Sequence, residues 1–331
     1  MRYSFQQVAW KEREFMSRLT AVLRFAGGLA LLAAGCGGKA GNGVPDDPWI
    51  VGVLLPDLSD TRLAQQKQDL EMAAALEPGI KLIVRDAAGD ADTQLAQVRE
   101  FLEQGVALLV INPTDPSALS SAAAEAMAKR VPVVALDRKI EGGKYTCFIG
   151  SDNVKLGEIA GRRTAELVGR GGKVIELKGH RVAEFAQERH EGFLAGLQGW
   201  DVQVILDVDC RGTEEDARRE TTTALGLHSR VDAVFAHTDA MARGAYLAVK
   251  DEGRGREQRI QFIGIGGQPK VGMQYVREGI LAMCIENPTG GAKVVMSVLR
   301  ILRHDYVLKN IILGTCVFTG GNVEKGGEPI E

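Results

Sequence analysis

The segment Val106–Arg138, VALLVINPTDPSALSSAAAEAMAKRVPVVALDR, carries the pattern on which the fold turns. Ala107–Ile111 is a continuous apolar run, Pro116–Lys129 has the length of a helix, and Val131–Leu136 is a second apolar run. Short, uniformly apolar runs suit strands buried on both faces, and their alternation with helices implies a parallel sheet covered on both sides. Each run stops at polar residues, Asn112-Pro113-Thr114-Asp115 after the first and Asp137-Arg138 after the second.

Outward from this segment the alternation continues in both directions. Strand-like runs are Ile50–Leu55, Ile80–Arg85, Tyr145–Gly150, Lys173–Leu177, Val202–Val208, Ala233–Ala236, Gln261–Ile265, Leu281–Ile285 and Ile311–Phe318. Helix-length segments are Arg62–Ala75, Asp92–Gln104, Lys155–Val168, Ala183–Gln198, Glu214–Leu227, Asp239–Glu252, Lys270–Glu278 and Ala292–Leu302. Eleven strands are too many for one ordinary open sheet in a chain of 331 residues, so two doubly wound α/β lobes are expected. Ligands of open α/β sheets bind beyond the carboxyl ends of the strands. Those ends are polar almost throughout: Asp57–Arg62, Ser151-Asp152-Asn153, Lys178–Arg189, Asp209–Thr213, His237-Thr238-Asp239, Gly266-Gly267-Gln268 and Glu286-Asn287 join the two sets above. Hydroxyls, amides, carboxylates and guanidinium groups converging there point to a small polar ligand.

Composition bounds the rest. Apolar residues make up 45% and charged residues 25%, a globular balance. A net charge of −3 lacks the basic excess that a nucleic-acid partner needs. Catalytic signatures are missing: the sequence holds no His-Glu-x-x-His and no Gly-x-Ser-x-Gly, and His237-Thr238-Asp239 is too local to form a triad. The glycines at 264, 266 and 267 belong to no phosphate-loop motif and are expected to serve tight turning. Asp152 and Asn153 read as a helix start, and Asp239 as the cap of a helix beginning at Ala240. Cys147, Cys210, Cys284 and Cys316 show no metal-ligand spacing and read as buried free thiols, and no metal or cofactor is expected.

Residues 1–35 read as an address. Arg18 and Arg24 flank Phe25–Gly35, eleven uncharged residues, too short to span a bilayer but suited to the apolar core of an export signal. Leu32-Ala33-Ala34-Gly35-Cys36 resembles a bacterial lipobox, which implies cleavage before Cys36 and lipidation of that cysteine, with Met1 or Met16 as the start. Residues 36–47, rich in glycine, then form a flexible tether. Without the leader the chain has 296 residues, net charge −6, and 13 aromatic residues. Such a chain belongs in the periplasm or at the cell surface.

Over Trp49–Val317 the motifs resemble the ribose-binding type of bacterial substrate-binding protein, the type I periplasmic fold. The resemblance rests on Ile111–Asp115, Leu136-Asp137-Arg138, Ser151-Asp152-Asn153, Val174–Leu177, Glu188–Phe193 and Ala233–Ala242, in family order. Asn287-Pro288-Thr289-Gly290-Gly291 also resembles the Tyr-Pro-Thr-Gly-Gly of a subgroup. What it implies is two similar lobes joined by a three-strand hinge, with 48–151 plus 288–316 in one and 152–287 plus 317–331 in the other. It further implies closure over one small molecule, usually a sugar, for ABC-type import by a monomer working with a membrane permease. Ligand contacts carried over by resemblance are Asn112, Asp137, Arg138, Ser151 and Arg189, with Arg62 in the first loop, Thr238 where the family has asparagine, and Asn287, adjacent to Glu286. Gly266 stands where the family has aspartate, and the first loop and Cys210-Arg211-Gly212 lack the aromatics that stack on a sugar. Three readings of the pocket follow: a different, smaller or more anionic ligand suited to Arg62, Arg138 and Arg189, a sugar held by substitutes such as Phe185 and Asp209, or a degenerate site. Other roles compatible with the fold are a sensing module for a membrane kinase or chemoreceptor and, were a helix-turn-helix to precede Trp49, a LacI-type effector core.

Overall fold

The computed structural model describes residues 47–179 and 184–330. The expected leader, Cys36 and nearly all of the tether lie outside the described residues. The first lobe runs β1 (Trp49–Leu55), α1 (Thr61–Ala74), β2 (Ile80–Asp86), α2 (Ala91–Glu103), β3 (Leu108–Ile111), α3 (Leu119–Ala128), β4 (Val133–Leu136) and β5 (Cys147–Gly150). The second runs α4 (Asn153–Val168), β6 (Gly172–Lys178), α5 (Glu184–Gly196), β7 (Val202–Asp209), α6 (Glu214–Leu227), β8 (Ala233–Ala236), α7 (Asp239–Asp251), β9 (Gln261–Gly266), α8 (Gly272–Arg277) and β10 (Met283–Glu286). The chain then returns through α9 (Gly291–Leu302) and β11 (Asn310–Ile312) before ending in β12 (Thr315–Thr319) and β13 (Glu328–Ile330).

Sheet order is β11-β5-β4-β3-β1-β2 in one lobe and β13-β12-β10-β9-β8-β6-β7 in the other. The first sheet is parallel throughout, and the second is parallel from β7 to β10 with an antiparallel edge formed by β12 and β13. The cores show why the strands read as unbroken apolar runs. In the first lobe, Val51, Val53, Leu55, Val110 and Val134 face α1 and α9 through Leu70, Val294 and Val298. Their neighbours Leu54, Leu109, Ile111, Val133 and Ala135 face α2 and α3 through Val98, Phe101 and Leu119. The second lobe repeats this, with Val174, Phe235, Ile263 and Ile285 toward α4 and α5, and Ile175, Val234, Phe262 and Cys284 toward the opposite helices.

The chain passes between sheets three times: at Ser151-Asp152, between β10 and α9 at Asn287–Gly290, and at Leu313-Gly314. The last passage differs from expectation. The run Ile311–Phe318 is two strands in different sheets, because Ile311 pairs with Ile149 whereas Thr315 pairs with Ile330. Thr315 and Cys316 therefore belong with the second sheet rather than the first lobe. The edge strand β13 had no sequence signal, since Glu328-Pro329-Ile330 is short and interrupted by proline.

Helices α4 and α5 approach at backbone contact. A Cβ on Gly157 or Gly161 of α4 would lie 2.1 and 2.2 Å from the carbonyl oxygens of Arg189 and Phe193. On Gly192 or Gly196 of α5 it would lie 2.0 and 2.2 Å from those of Val154 and Glu158. Reciprocal glycines thus bring α5, the carrier of Arg189, against the helix that follows the first crossing.

Candidate functional site

The order of each sheet reverses at the strand pairs β1/β3 and β6/β8, and open α/β sheets bind ligands beyond such points. At the end of β4, Asp137 adopts the left-handed region with φ 65°, a conformation aspartate tolerates at a modest cost. Its carboxylate meets Arg62, on the first turn of α1, in a two-pronged bond: Nη1 donates to Oδ2 at 2.8 Å and Nη2 to Oδ1 at 2.6 Å. Both side chains are about 15% exposed, so the pair is well shielded. Burial by itself would push the Asp137 carboxyl up, but Arg62, with Arg138 and Arg189 farther off, outweighs it and holds the group below its usual range. Asn112, fully buried, donates to Gln66 Oε1 at 3.1 Å and reaches Asp137 Oδ2 at 3.5 Å. Gln66 in turn donates to the Thr289 carbonyl in the second crossing. The Asn112 Oδ1 atom is buried with no hydrogen-bond partner among the described residues.

Asn287, in the second crossing, ties the lobes together. Oriented so that each polar atom meets its complement, its amide nitrogen donates to Ser151 Oγ at 2.7 Å. Its Oδ1 then accepts from Arg62 Nε at 3.1 Å and from Arg189 Nη2 at 3.0 Å. Arg189 is 5% exposed; its Nε donates to Asn153 Oδ1 at 3.0 Å and its Nη1 to the His237 carbonyl at 2.6 Å. Burial, then the like charge of Arg62, pulls its guanidinium down to about 10. Behind it stands a buried relay that the sequence did not disclose. The Gly179 amide donates to His237 Nδ1 at 3.3 Å, which leaves Nε2–H to donate to Glu176 Oε1 at 3.0 Å, while His190 Nδ1 lies 2.8 Å from Glu176 Oε2. Burial lowers His237, so a neutral ring braces the carbonyl that holds Arg189.

Arg138 does not pair with its neighbour Asp137. Its Nη1 donates to the Pro113 and Thr114 carbonyls at 3.4 and 3.2 Å. Its Cζ lies 4.9 Å from the centre of the Phe185 ring, which Arg189 also covers at 5.4 Å. Phe185 therefore brings an aromatic face to the arginines. Asp209, the other candidate substitute, lies elsewhere, in an open recess of about 400 Å³ lined also by Lys178, Gln187, His190 and Asp207.

One helix-start expectation is corrected. Thr238, not Asp239, caps α7: its Oγ1 accepts from the Met241 amide at 3.2 Å. Asp239 is the first helical residue, 2% exposed, and its Oδ2 accepts from the Gly267 amide at 2.7 Å while Oδ1 has no partner among the described residues. Burial pushes this carboxyl up to about 7. A Cβ at Gly264, Gly266 or Gly272 would come within 2.4 Å of an Asp239 carboxylate oxygen. The glycines at 264 and 266 thus make room for a buried acid, whereas Gly267, at φ 73°, does turn the chain. Asp152 does cap α4, accepting from the Lys155 amide, whereas Asn153 is committed to Arg189. Among the described residues the four cysteines are unpaired, and no group of three His, Cys, Asp or Glu side chains could hold a metal ion.

Two lobes of parallel sheet, three chain passages between them and a buried polar cluster at those passages define a bilobal binding protein of the type I periplasmic fold. The chain belongs to the periplasmic binding protein domain family, whose model matches residues 51–304. It is 36% identical over 219 residues to the ribose import binding protein of Bacillus subtilis (strain 168), covering 65% of this chain and 70% of that protein. The ribose import binding protein of Escherichia coli (strain K12) is 33% identical over 231 residues, 69% of this chain and 77% of that one. Among solved structures, the fructose-binding periplasmic domain of a hybrid two-component system is 31% identical, with TM-score 0.77 over 84% of this chain and 93% of that chain. The family is one of sugar-binding periplasmic proteins, not of enzymes.

Proposed function

We propose that this protein is an extracytoplasmic, lipid-anchored, monomeric solute receptor that closes its lobes about a hinge over one sugar-like molecule and presents it to an ABC permease. The observation that carries the reading is Asn287. One side chain from a crossing joins Arg62 of the first lobe, Ser151 of another crossing and Arg189 of the second lobe, so ligand and lobe closure act on the same polar network. Asn112, Asp137 and Arg138 supply the first lobe's contacts, and Ser151, Arg189, Thr238 and Asn287 those of the crossings and second lobe. Arg62 orients Asp137, whose remaining lone pairs accept from ligand hydroxyls. The lipid anchor rests on the lipobox-like run ending at Cys36; mass spectrometry of the mature N-terminus returning an unlipidated Cys36 would remove it.

The test is a thermal-shift screen of sugars, polyols and sugar acids on the purified protein. A ligand present at 100 times its dissociation constant adds about 2.7 kcal/mol, well within detection. A folded protein that no member of the panel stabilises contradicts the reading. The likeness to the fructose-binding domain of a hybrid two-component system favours a second role, in sensing. Uptake of labelled ligand in a deletion strain separates the two: transport fails when the protein delivers cargo, and only the transcriptional response fails when it feeds a kinase.

A further inference from the structure

The charges of the polar cluster do not balance. Arg62 is neutralised by both oxygens of Asp137. Among the described residues, Arg138 and Arg189 touch no carboxylate: their donors go to the Pro113, Thr114 and His237 carbonyls, to Asn153 and to Asn287. The two guanidinium groups nevertheless share one aromatic ring, at 4.9 and 5.4 Å from the centre of Phe185. No other carboxylate among the described residues bonds to either arginine. Asp239 turns to the Gly267 amide, Asp60 caps α1 through the Arg62 and Leu63 amides, and Glu286 lies against Cys316. At position 266, where the family resemblance implies an aspartate, a glycine stands, and the space beside it holds the Asp239 carboxylate.

Taking the solute-receptor reading as its basis, we infer that the ligand is a sugar or polyol bearing an anionic group, which bridges Arg138 and Arg189 beside Phe185 while its hydroxyls meet Asn112 and Asp137. Planar guanidinium forks suit carboxylate and phosphate oxygens, and a weakly solvated pair of like charges gains most from such a partner. The unpartnered Oδ1 of Asn112 accepts one of the hydroxyls.

Isothermal titration with matched pairs tests this: D-galactose against D-galacturonate, D-ribose against D-ribonate, and D-ribose against D-ribose 5-phosphate. At least one anionic member is expected to bind tenfold or more tightly than its neutral partner, and the carboxylate and phosphate arms identify which anion the site takes. In Arg138→Met, shown to be folded by circular dichroism, that ratio is expected to fall toward one. Neutral members binding as tightly as their anionic partners, or more so, overturns the inference and leaves the receptor reading standing. Binding by no member of either class overturns both.

Discussion

Replacing Gly192 by alanine tests whether the approach of α4 and α5 builds the site. The added methyl would sit 2.0 Å from the Val154 carbonyl oxygen and 2.9 Å from the Glu158 amide nitrogen. Ordinary carbon–oxygen contact is about 3.3 Å, so the helices must separate by roughly 1 Å, and neither clashing group is a side chain that can rotate away. Two effects oppose each other. Alanine in place of glycine in a helix interior stabilises by about 0.8–1 kcal/mol. Overpacking a fitted interface costs about 1–3 kcal/mol, occasionally more, and the gaps opened along the remaining contacts add to it. The second effect wins, with a net loss of about 1–2 kcal/mol. At roughly 2–4 °C per kcal/mol, Tm falls by about 2–8 °C. Arg189 lies one turn before Gly192 on α5, so ligand affinity falls as well. Gly226, in the last turn of α6, is the matched control: nothing lies within 4 Å of its added methyl. Gly226→Ala therefore keeps the propensity gain without the clash and raises Tm by about 2–4 °C. Thermal unfolding by circular dichroism, with and without ligand, reads both variants. Gly192→Ala matching or exceeding the wild-type Tm refutes the account of the helix pair.

Asp239 makes a pH prediction. Its carboxyl is raised to about 7 in the fold, so the folded state holds a proton that the unfolded chain releases near 3.8, and stability declines as pH rises between those values. Asp239→Asn keeps the acceptor for the Gly267 amide, matches the wild type near pH 4, and exceeds it above pH 7 by up to roughly 4 kcal/mol. Identical urea-midpoint profiles for the two proteins from pH 4 to 8 would contradict the buried-acid reading. Arg62→Met has the opposite pH behaviour. Asp137 is held low by its partners, so the pair stabilises above the ordinary carboxylate range and loses that contribution as pH falls. The variant should lose about 2–3 kcal/mol at pH 7, where Asp137 is left charged and shielded, and much less at pH 3. An unchanged urea midpoint at pH 7 shows that the pair contributes nothing.

The sequence by itself determined the alternation of strands and helices, the two-lobed class and the polar strand ends, because doubly covered strands must be apolar throughout and must stop where solvent begins. Asn112, Asp137, Arg138, Ser151 and Asn287 were legible as polar residues at strand ends, and Arg189 as the far end of the stretch that follows β6. Their partners were not. Asp137 answers to Arg62, 75 residues away, rather than to the adjacent Arg138. The break at Leu313-Gly314 was hidden because one apolar run supplies strands to two sheets. The relay of Glu176, His237 and His190 left no trace in spacing, since its members come from β6, the residue after β8, and α5. Only the tertiary structure decided which polar residues meet, that the glycines at 264 and 266 accommodate a buried acid, and that two arginines are left without a carboxylate among the described residues. Periodicity is a local property of the chain, whereas charge balance is set by distances between segments that folding alone brings together.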